Sequence, residues 1–444
     1  MPDRPLDDLD RLSLVKPTAC GPLPEIYSPP TAVAAEPRRT LGLCMSIPFN
    51  KPFIAGRELF YIAQAVTLGN IAGDGAFTQK CCRLLEERFQ IGHVLLTPSC
   101  TAALEMAAQL CGIGPGDEVL MPSYAFVSTA NAVVRLGAIP VFVDSRPDTL
   151  NIDDSLIEAA ITPRTKAIML VHYAGVACEM DRILTIARQY GLRVIEDAAQ
   201  GVNAFYNGRA LGSLGDLGTY SFHETKNFSC GEGGALCIND PELLARAEII
   251  RDKGTNRRQF FRGEVDKYTW VDVGSSYVPS EIASAFLFGQ LEQMDEITRR
   301  RQRLYNSYRV RLKPLEAEGL LRLPRIPEDC ESNYHLFYVL LPDMTLRDAL
   351  MNHLKSQGIL AVFHYIPLHT SPMGLKCGGR PGSLPVTENM ASRLLRLPLY
   401  YDLSDADQSR VIECLTEFLH RTKGLVVVAG EPEAVSKSVF ASKN

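Results

Sequence analysis

No long apolar span is present, and no basic-then-apolar leader ending in a cleavage site opens the chain. Neither a transmembrane helix nor a secretory signal is therefore expected, and a soluble, cytoplasmic protein is. Nor is there a large excess of charge of one sign. A formal net charge of -5 and a pI ≈ 6.0 argue against a nucleic-acid or anionic-membrane partner. The twelve cysteines include no C-x-x-C pair and no Cys/His cluster at metal spacing, and only Cys81 and Cys82 are adjacent. This argues against a metal site and fits reduced thiols better than a disulfide framework. No internal repeat is visible.

What is present is a large apolar fraction, 46% of 444 residues, enough for a sizeable core and for one large and one small domain. Residues 1–45 mix prolines, alanines and charges without a sustained period, which predicts a disordered extension. Regular patterning starts at Ile47-Pro48-Phe49-Asn50. A large domain is expected over 46–298, a small one over 299–423 and a tail from Gly424, which opens with Leu425-Val426-Val427-Val428.

Short apolar runs alternate with helical patterns. Strands are expected at Val94–Leu96, Glu118–Met121, Pro140–Asp144, Ala167–Val171 and Arg193–Glu196. Helices are expected at Thr101–Ala108, near Val127–Leu136 and at Asp181–Gln189, then at Pro279–Thr298 and Arg299–Leu312. The alternation predicts an α/β fold with a mainly parallel sheet covered on both faces, followed by a smaller α/β portion from about Leu321 to His420. Ligands of such sheets sit beyond the carboxyl ends of the strands.

Asp197 closes the run Arg193-Val194-Ile195-Glu196-Asp197 and so falls at such an end. Lys226 follows 29 positions later in Ser221-Phe222-His223-Glu224-Thr225-Lys226-Asn227, before Cys230-Gly231-Glu232-Gly233-Gly234. An acid at a strand end and a lysine beside a glycine-rich turn suit pyridoxal phosphate. That group needs an amine for its aldehyde, an anion for its ring nitrogen and donors for its phosphate. Lysine can bond to the aldehyde and later carry a proton, because its pKa falls readily on burial. The ordinary alternative is a lysine whose stem covers apolar surface; for Asp197 it is a helix N-cap. Gln200 is placed to reach the ring oxygen. Ser99-Cys100-Thr101-Ala102 offers a helix N-terminus to the phosphate, with Ser221 adding a hydroxyl; simple capping is the alternative there. Phe126, in Pro122-Ser123-Tyr124-Ala125-Phe126, is placed to stack on the ring, although an aromatic there is more often core.

Together these segments resemble the DegT/DnrJ/EryC1/StrS sugar aminotransferases, from about Ile47 to about His420. The resemblance rests on Thr97–Leu104, Gly116-Asp117-Glu118-Val119, Glu196-Asp197-Ala198-Ala199-Gln200 and the Lys226 region. It implies the aspartate-aminotransferase fold and pyridoxal phosphate bound by Lys226. It also implies Asp197 on the ring nitrogen, Gln200 on the ring oxygen and Phe126 on the ring face. Cys100, Thr101, Ala102 and Ser221 would then surround the phosphate, and the enzyme would be a homodimer with shared sites.

A closer likeness is to a subgroup serving cell-surface polysaccharide synthesis, carried by Gly254–Arg257, Phe260–Gly263, Val265–Trp270, Gly274–Tyr277 and Val362–His369. It implies a dTDP-sugar, dTDP-4-dehydro-6-deoxy-D-glucose, aminated at C4 with L-glutamate as donor. Arg257 and Arg262 are candidates for the diphosphate, and solvated basic loops are the alternative. Tyr277 and His335 complete the candidate substrate residues. In many relatives Asn or Arg follows the tyrosine of the Gly-x-x-Tyr turn and reaches the neighbouring subunit's cofactor phosphate. Here Val278 stands there, which shifts that expectation to Ser275 and Ser276. Sugar dehydratases of the same family carry histidine in place of the lysine, and Lys226 argues against that branch. Another keto-sugar nucleotide as substrate, or a regulator that binds the cofactor on the same scaffold, are the remaining alternatives.

Overall fold

The structure is a computed structural model that describes residues 47–429, with side chains to Thr422. The expected N-terminal extension and the last part of the expected tail lie outside the described residues. Seven strands form the central sheet: β1 (His93–Thr97), β2 (Glu118–Pro122), β3 (Ile139–Val143), β4 (Thr165–Val171), β5 (Arg193–Asp197), β8 (Leu217–Ser221) and β9 (Gly234–Ile238). Between β5 and β8 lie the short β6 (Phe205–Tyr206) and β7 (Arg209–Ala210), which pair with each other and with β10 (Cys330–Glu331). The order in the main sheet is β1-β9-β8-β5-β4-β2-β3, and β9 alone runs against the rest.

The sheet is buried on both faces, as near-continuous apolar strands require. Val119, Met121, Ala167, Met169 and Ile195 pack into one core, while their neighbours Leu120, Ile168, Leu170 and Val194 pack into another. The first is covered by the alanine-rich helix Cys100–Leu110. A third core lies around a two-stranded sheet, β11 (Phe337–Leu340) and β12 (Leu394–Leu397), packed by the helices Met344–Ser356 and Asp405–Ala429.

Two helices run on through positions where the sequence reading places a boundary. The expected division at 298/299 falls inside a single helix, Met294–Ala317. Its buried residues Met294, Ile297, Arg301, Leu304, Tyr305, Tyr308, Leu312 and Leu315 keep helical spacing straight through that point, so nothing interrupts it. The last helix also continues past Gly424, where a tail was expected, to Ala429. One glycine in a helix interior costs only about 1 kcal/mol against alanine, which the flanking residues can outweigh. Among the described residues, no helix is long and apolar enough to cross a membrane.

Candidate active site

Because six strands run the same way, their carboxyl ends meet at one edge, and the start of the reversed strand β9 joins them there. That edge delivers Ser99 after β1, Phe126 after β2, Val171 from β4, Asp197 from β5, Ser221 from β8 and Gly233 before β9 to one cavity of ≈ 780 Å³. From the other side come His335, Leu336, the segment Val362–Tyr365, and Arg396 and Leu397 of β12.

Lys226 sits in the connection between the antiparallel neighbours β8 and β9. Ser221 pairs with Gly234 at its base. Above the base, Phe222 N–H donates to Gly233 O (2.9 Å), Cys230 N–H to Phe222 O (2.9 Å) and Glu224 N–H to Gly231 O (2.8 Å). A turn bond from Lys226 N–H to His223 O (2.9 Å) fixes the lysine's backbone. Next to it, Asn227 donates through Nδ2 to Asn333 O (2.8 Å) and accepts through Oδ1 from His335 Nδ1–H (3.0 Å). An amide oxygen only accepts, so the proton of His335 lies on Nδ1 and the lone pair on Nε2.

The N-terminus of the helix Cys100–Leu110 opens onto the cavity. Ser99 caps it in extended backbone, its Oγ accepting from Ala102 N–H at 3.1 Å. The remaining first-turn N–H groups, those of Cys100 and Thr101, have no intrahelical acceptor and are open to an anion. Thr101 Oγ1 also bonds Ser128 Oγ (2.8 Å). Gly234 seats β9 against this turn: a Cβ there would stand 2.4 Å from Cys100 N and from Ser99 C.

Asp197 is buried. Its Oδ2 accepts from Thr129 Oγ1 (2.7 Å) and its Oδ1 from Ala199 N–H (3.1 Å). Desolvation raises its pKa against those bonds and against nearby Lys226. Lys226 keeps some surface open to the cavity, yet desolvation lowers its pKa. The like charge of Arg396 adds to that lowering, while Cys100 and Asp197 oppose it. A buried acid and a partly desolvated amine in one cavity are the ingredients of proton transfer chemistry. Gln200 accepts through Oε1 from Ala174 N–H (2.7 Å) and donates through Nε2 to Tyr365 OH (3.0 Å).

Of the sequence candidates, Cys100, Thr101, Phe126, Asp197, Gln200, Ser221, Lys226 and His335 all line this cavity. Ala102 does not; its N–H is spent on the cap. Phe126 is more than half exposed (56%) at the mouth rather than in the core, its ring 6.3 Å from that of Tyr365. Arg257, Arg262 and Tyr277 are not brought to this cavity within their own chain. Arg262 pairs with Glu248 (2.8 Å) and Glu264 (2.6 Å), Arg257 lies 3.7 Å from Asp252, and Tyr277 OH donates to Glu105 (2.9 Å). Arg257 and Ser276 line a different cavity, of ≈ 1070 Å³. The loops were read from resemblance alone, and their own carboxylates, close in sequence or across the helix face, claim the guanidinium groups.

Thr129, Asn227, Tyr365 and Arg396 were not singled out from the sequence. Thr129 and Asn227 carried a faint signal, a hydroxyl one turn into a strand-end helix and an amide beside the lysine. Arg396, in Leu394-Leu395-Arg396-Leu397, looks like an outward residue of a buried strand and carried none.

The DegT/DnrJ/EryC1/StrS aminotransferase family matches residues 54–416. The chain is 38% identical over 318 residues to a pleiotropic regulatory protein of Geobacillus stearothermophilus, covering 71% of this chain and 82% of that one. It is 35% identical over 372 residues to the GDP-perosamine synthase of Caulobacter vibrioides, covering 83% and 97%. The PLP form of Spr1654 from Streptococcus pneumoniae superposes with a TM-score of 0.78 at 25% identity, covering 84% of this chain and 99% of that one. The donor set fits pyridoxal phosphate. An amine, a buried carboxylate at a strand end and the open N–H groups of a helix start line one cavity, and Gly234 keeps the cradle from being filled by a side chain.

Proposed function

This chain belongs to the DegT/DnrJ/EryC1/StrS aminotransferase family, and we propose that it moves the amino group of L-glutamate to C4 of dTDP-4-dehydro-6-deoxy-D-glucose. The products are dTDP-4-amino-4,6-dideoxy-D-galactose and 2-oxoglutarate. It is a sugar aminotransferase whose cofactor is pyridoxal phosphate. The observation that carries the reading is the meeting of Lys226 and Asp197 in one cavity beside a helix N-terminus.

When bound, pyridoxal phosphate supplies an electron sink for the carbon that gains or loses the amine. Lys226 Nζ would hold the cofactor through its aldehyde and is placed to carry a proton at the reacting carbon. Its lowered pKa leaves a larger share of it neutral and able to accept that proton. Asp197, already desolvated, would face the ring nitrogen and favour its protonated, cationic form. Cys100 and Thr101 N–H and the Ser221 hydroxyl would hold the phosphate. One Nε2 hydrogen of Gln200 serves Tyr365, and the other would be free for the ring oxygen.

The protein works as a homodimer with shared sites. Supporting this are the exposed apolar residues Leu59, Phe60, Val66, Leu68 and Ile71, with Phe261 and Trp270 on the helix-and-turn segment that carries Arg257 and Arg262. Those arginines, Tyr277 and the Ser275-Ser276 hydroxyls then act at the other subunit's cavity. The large part that binds the cofactor is assigned to residues 46–298 and the smaller part to 299–423, hinged through the helix Met294–Ala317.

Purified protein incubated with L-glutamate and the keto-sugar, with the product's C4 configuration assigned by NMR, tests the reading. No amination overturns the substrate, and a gluco product transfers the chain to a neighbouring specificity. The Geobacillus relative's name favours a second reading, a regulatory role on this scaffold; turnover by the purified protein alone separates the two.

A further inference from the structure

Phe126 and Tyr365 face the Lys226 cavity from two distant segments, and a buried histidine ties those segments together. Ser123, just after β2, stands three residues before Phe126, and His369 stands four residues after Tyr365. Ser123 is 0% exposed and His369 1%. Leu368 N–H donates to Ser123 O (2.9 Å), and His369 N–H donates to Ser123 Oγ (3.0 Å). Ser123 Oγ also lies 2.6 Å from His369 Nδ1, across 246 residues of chain. On the far side of the ring, His369 Nε2 lies 2.9 Å from Glu388 Oε1, which accepts from Gly382 N–H as well (2.7 Å). The bond to His369 holds the Glu388 carboxyl below its usual range, so it is ionised and only accepts. Nε2 therefore carries the ring proton, and the lone pair of Nδ1 takes the hydroxyl proton of Ser123.

Glu388 is itself anchored. The helix that bears it, Pro385–Arg393, is tied to Asp144, just beyond β3, by Val386 N–H (3.1 Å), Thr387 N–H (2.8 Å) and Thr387 Oγ1 (2.7 Å). The chain of bonds thus runs from the end of β2 through His369 to the end of β3. A matched buried polar chain adds little net stability over apolar groups of the same shape; what it adds is one fixed geometry. The group held by that geometry is Tyr365, whose OH accepts from Gln200 Nε2 at 3.0 Å. Gln200 Oε1 is occupied by Ala174 N–H, so Tyr365 decides where the second Nε2 hydrogen points. We propose that His369 is a positioning residue of the cofactor site: through Ser123 it fixes Tyr365, and so aims the free Nε2 hydrogen of Gln200 at the cofactor's ring oxygen. The inference rests on the proposed placement of Gln200 at that oxygen, whichever sugar nucleotide is used. A donor on the ring oxygen draws its negative charge away from the proton on the lysine-bound nitrogen, so a misaimed Gln200 leaves that proton held more tightly.

The test titrates the visible band of the lysine-bound cofactor with pH in holoenzyme, and reads the histidine ring nitrogens by NMR in cofactor-free protein. Ser123→Ala is expected to move the band's titration upward by roughly 0.5 to 1 pH unit. It should also weaken cofactor binding roughly 5-fold in equilibrium dialysis. His369→Gln, whose amide nitrogen replaces Nε2 and keeps only the Glu388 bond, should show the same shift. His369→Asn, whose amide oxygen replaces Nδ1 and accepts from Ser123, should restore the wild-type titration. Gln200→Leu should move it at least as far as Ser123→Ala. Neutral His369 in the wild type should carry its proton on Nε2, and a proton on Nδ1 overturns the proposal. A wild-type titration in Ser123→Ala and His369→Gln, with Gln200→Leu shifted, overturns the proposal and leaves Gln200 at the ring oxygen. No shift in Gln200→Leu overturns the placement of Gln200, and this inference with it. If the histidine variants do not fold, Ser123→Ala decides, since it removes a single oxygen atom.

Discussion

Thr129 Oγ1 donates to Asp197 Oδ2 at 2.7 Å, joining the helix after β2 to the end of β5. This bond and that from Ala199 N–H leave Asp197 ionisable in a dry place, and desolvation still wins, raising its pKa above 3.8. The folded protein without cofactor therefore holds this proton more tightly than the unfolded chain, and the carboxylate's contribution to stability falls as pH rises from 3.8 through the raised value. Asp197→Asn is expected to leave the cofactor-free protein at least as thermally stable as wild type at neutral pH, with the difference closing on acidification. The same variant should lose catalysis by about 100-fold or more, the scale of a positioned proton-holding group. Melting curves across pH and single-turnover rates check both; a large loss of stability at neutral pH would contradict the assignment.

Lys226→Ala is expected to abolish the visible band of the lysine-bound cofactor and amino transfer with it. Absorbance spectra after reconstitution with pyridoxal phosphate settle this, and a persisting band would mean another lysine bears the bond.

Gln200→Leu removes the acceptor of Ala174 N–H, a buried donor in a turn where Ala174 (φ 59°) and Gly175 (φ +73°) are both left-handed. Leaving that N–H without a partner costs about 1–3 kcal/mol. Denaturant unfolding of the cofactor-free protein should show it as a lower midpoint with unchanged slope.

His335 and His364 both have pKa values well below 6.5, first because of desolvation and then through Lys226 and Arg396. For a histidine whose folded pKa is depressed, the stability is fully present above 6.5 and is lost as pH falls below it. Both rings should remain neutral in NMR titration between about pH 6 and 8. His335→Gln should flatten the decline of melting temperature on acidification.

Gly234→Ala places a Cβ 2.4 Å from backbone atoms of Cys100 and Ser99, which no side-chain rotation relieves. Cofactor affinity is expected to fall at least tenfold, read by equilibrium dialysis, because the cradle must shift to admit the methyl group.

The parallel sheet was legible because burial on both faces writes itself as uninterrupted apolar strands, Ala167–Val171 being the plainest. That Asp197, Gln200 and Lys226 meet at one cavity was foreseeable because they belong to short local motifs at or just beyond strand ends. What escaped depends on distant segments meeting. Tyr365 reaches Gln200 across 165 residues, and Asn333 reaches the Lys226 turn through Asn227 across 106. Arg257 and Arg262 lie away from this cavity within their own chain, and a sequence displays charge but not the carboxylates, such as Glu248, that pair with it. The unbroken stripe from Met294 to Leu315 was visible residue by residue, but the charged run at Arg299–Arg301 masked its continuity.

The connection that bears Lys226 is a hairpin between neighbouring strands, stitched at both ends by the sheet. Its backbone bonds from Phe222, Glu224, Lys226 and Cys230 are made within the connection, and Asn227 and Asn50 tie it to distant segments of the same chain. The amine therefore waits in a finished socket. Capture of the cofactor should follow second-order kinetics, its observed rate rising linearly with concentration and without the plateau that a slow ordering of the loop would impose.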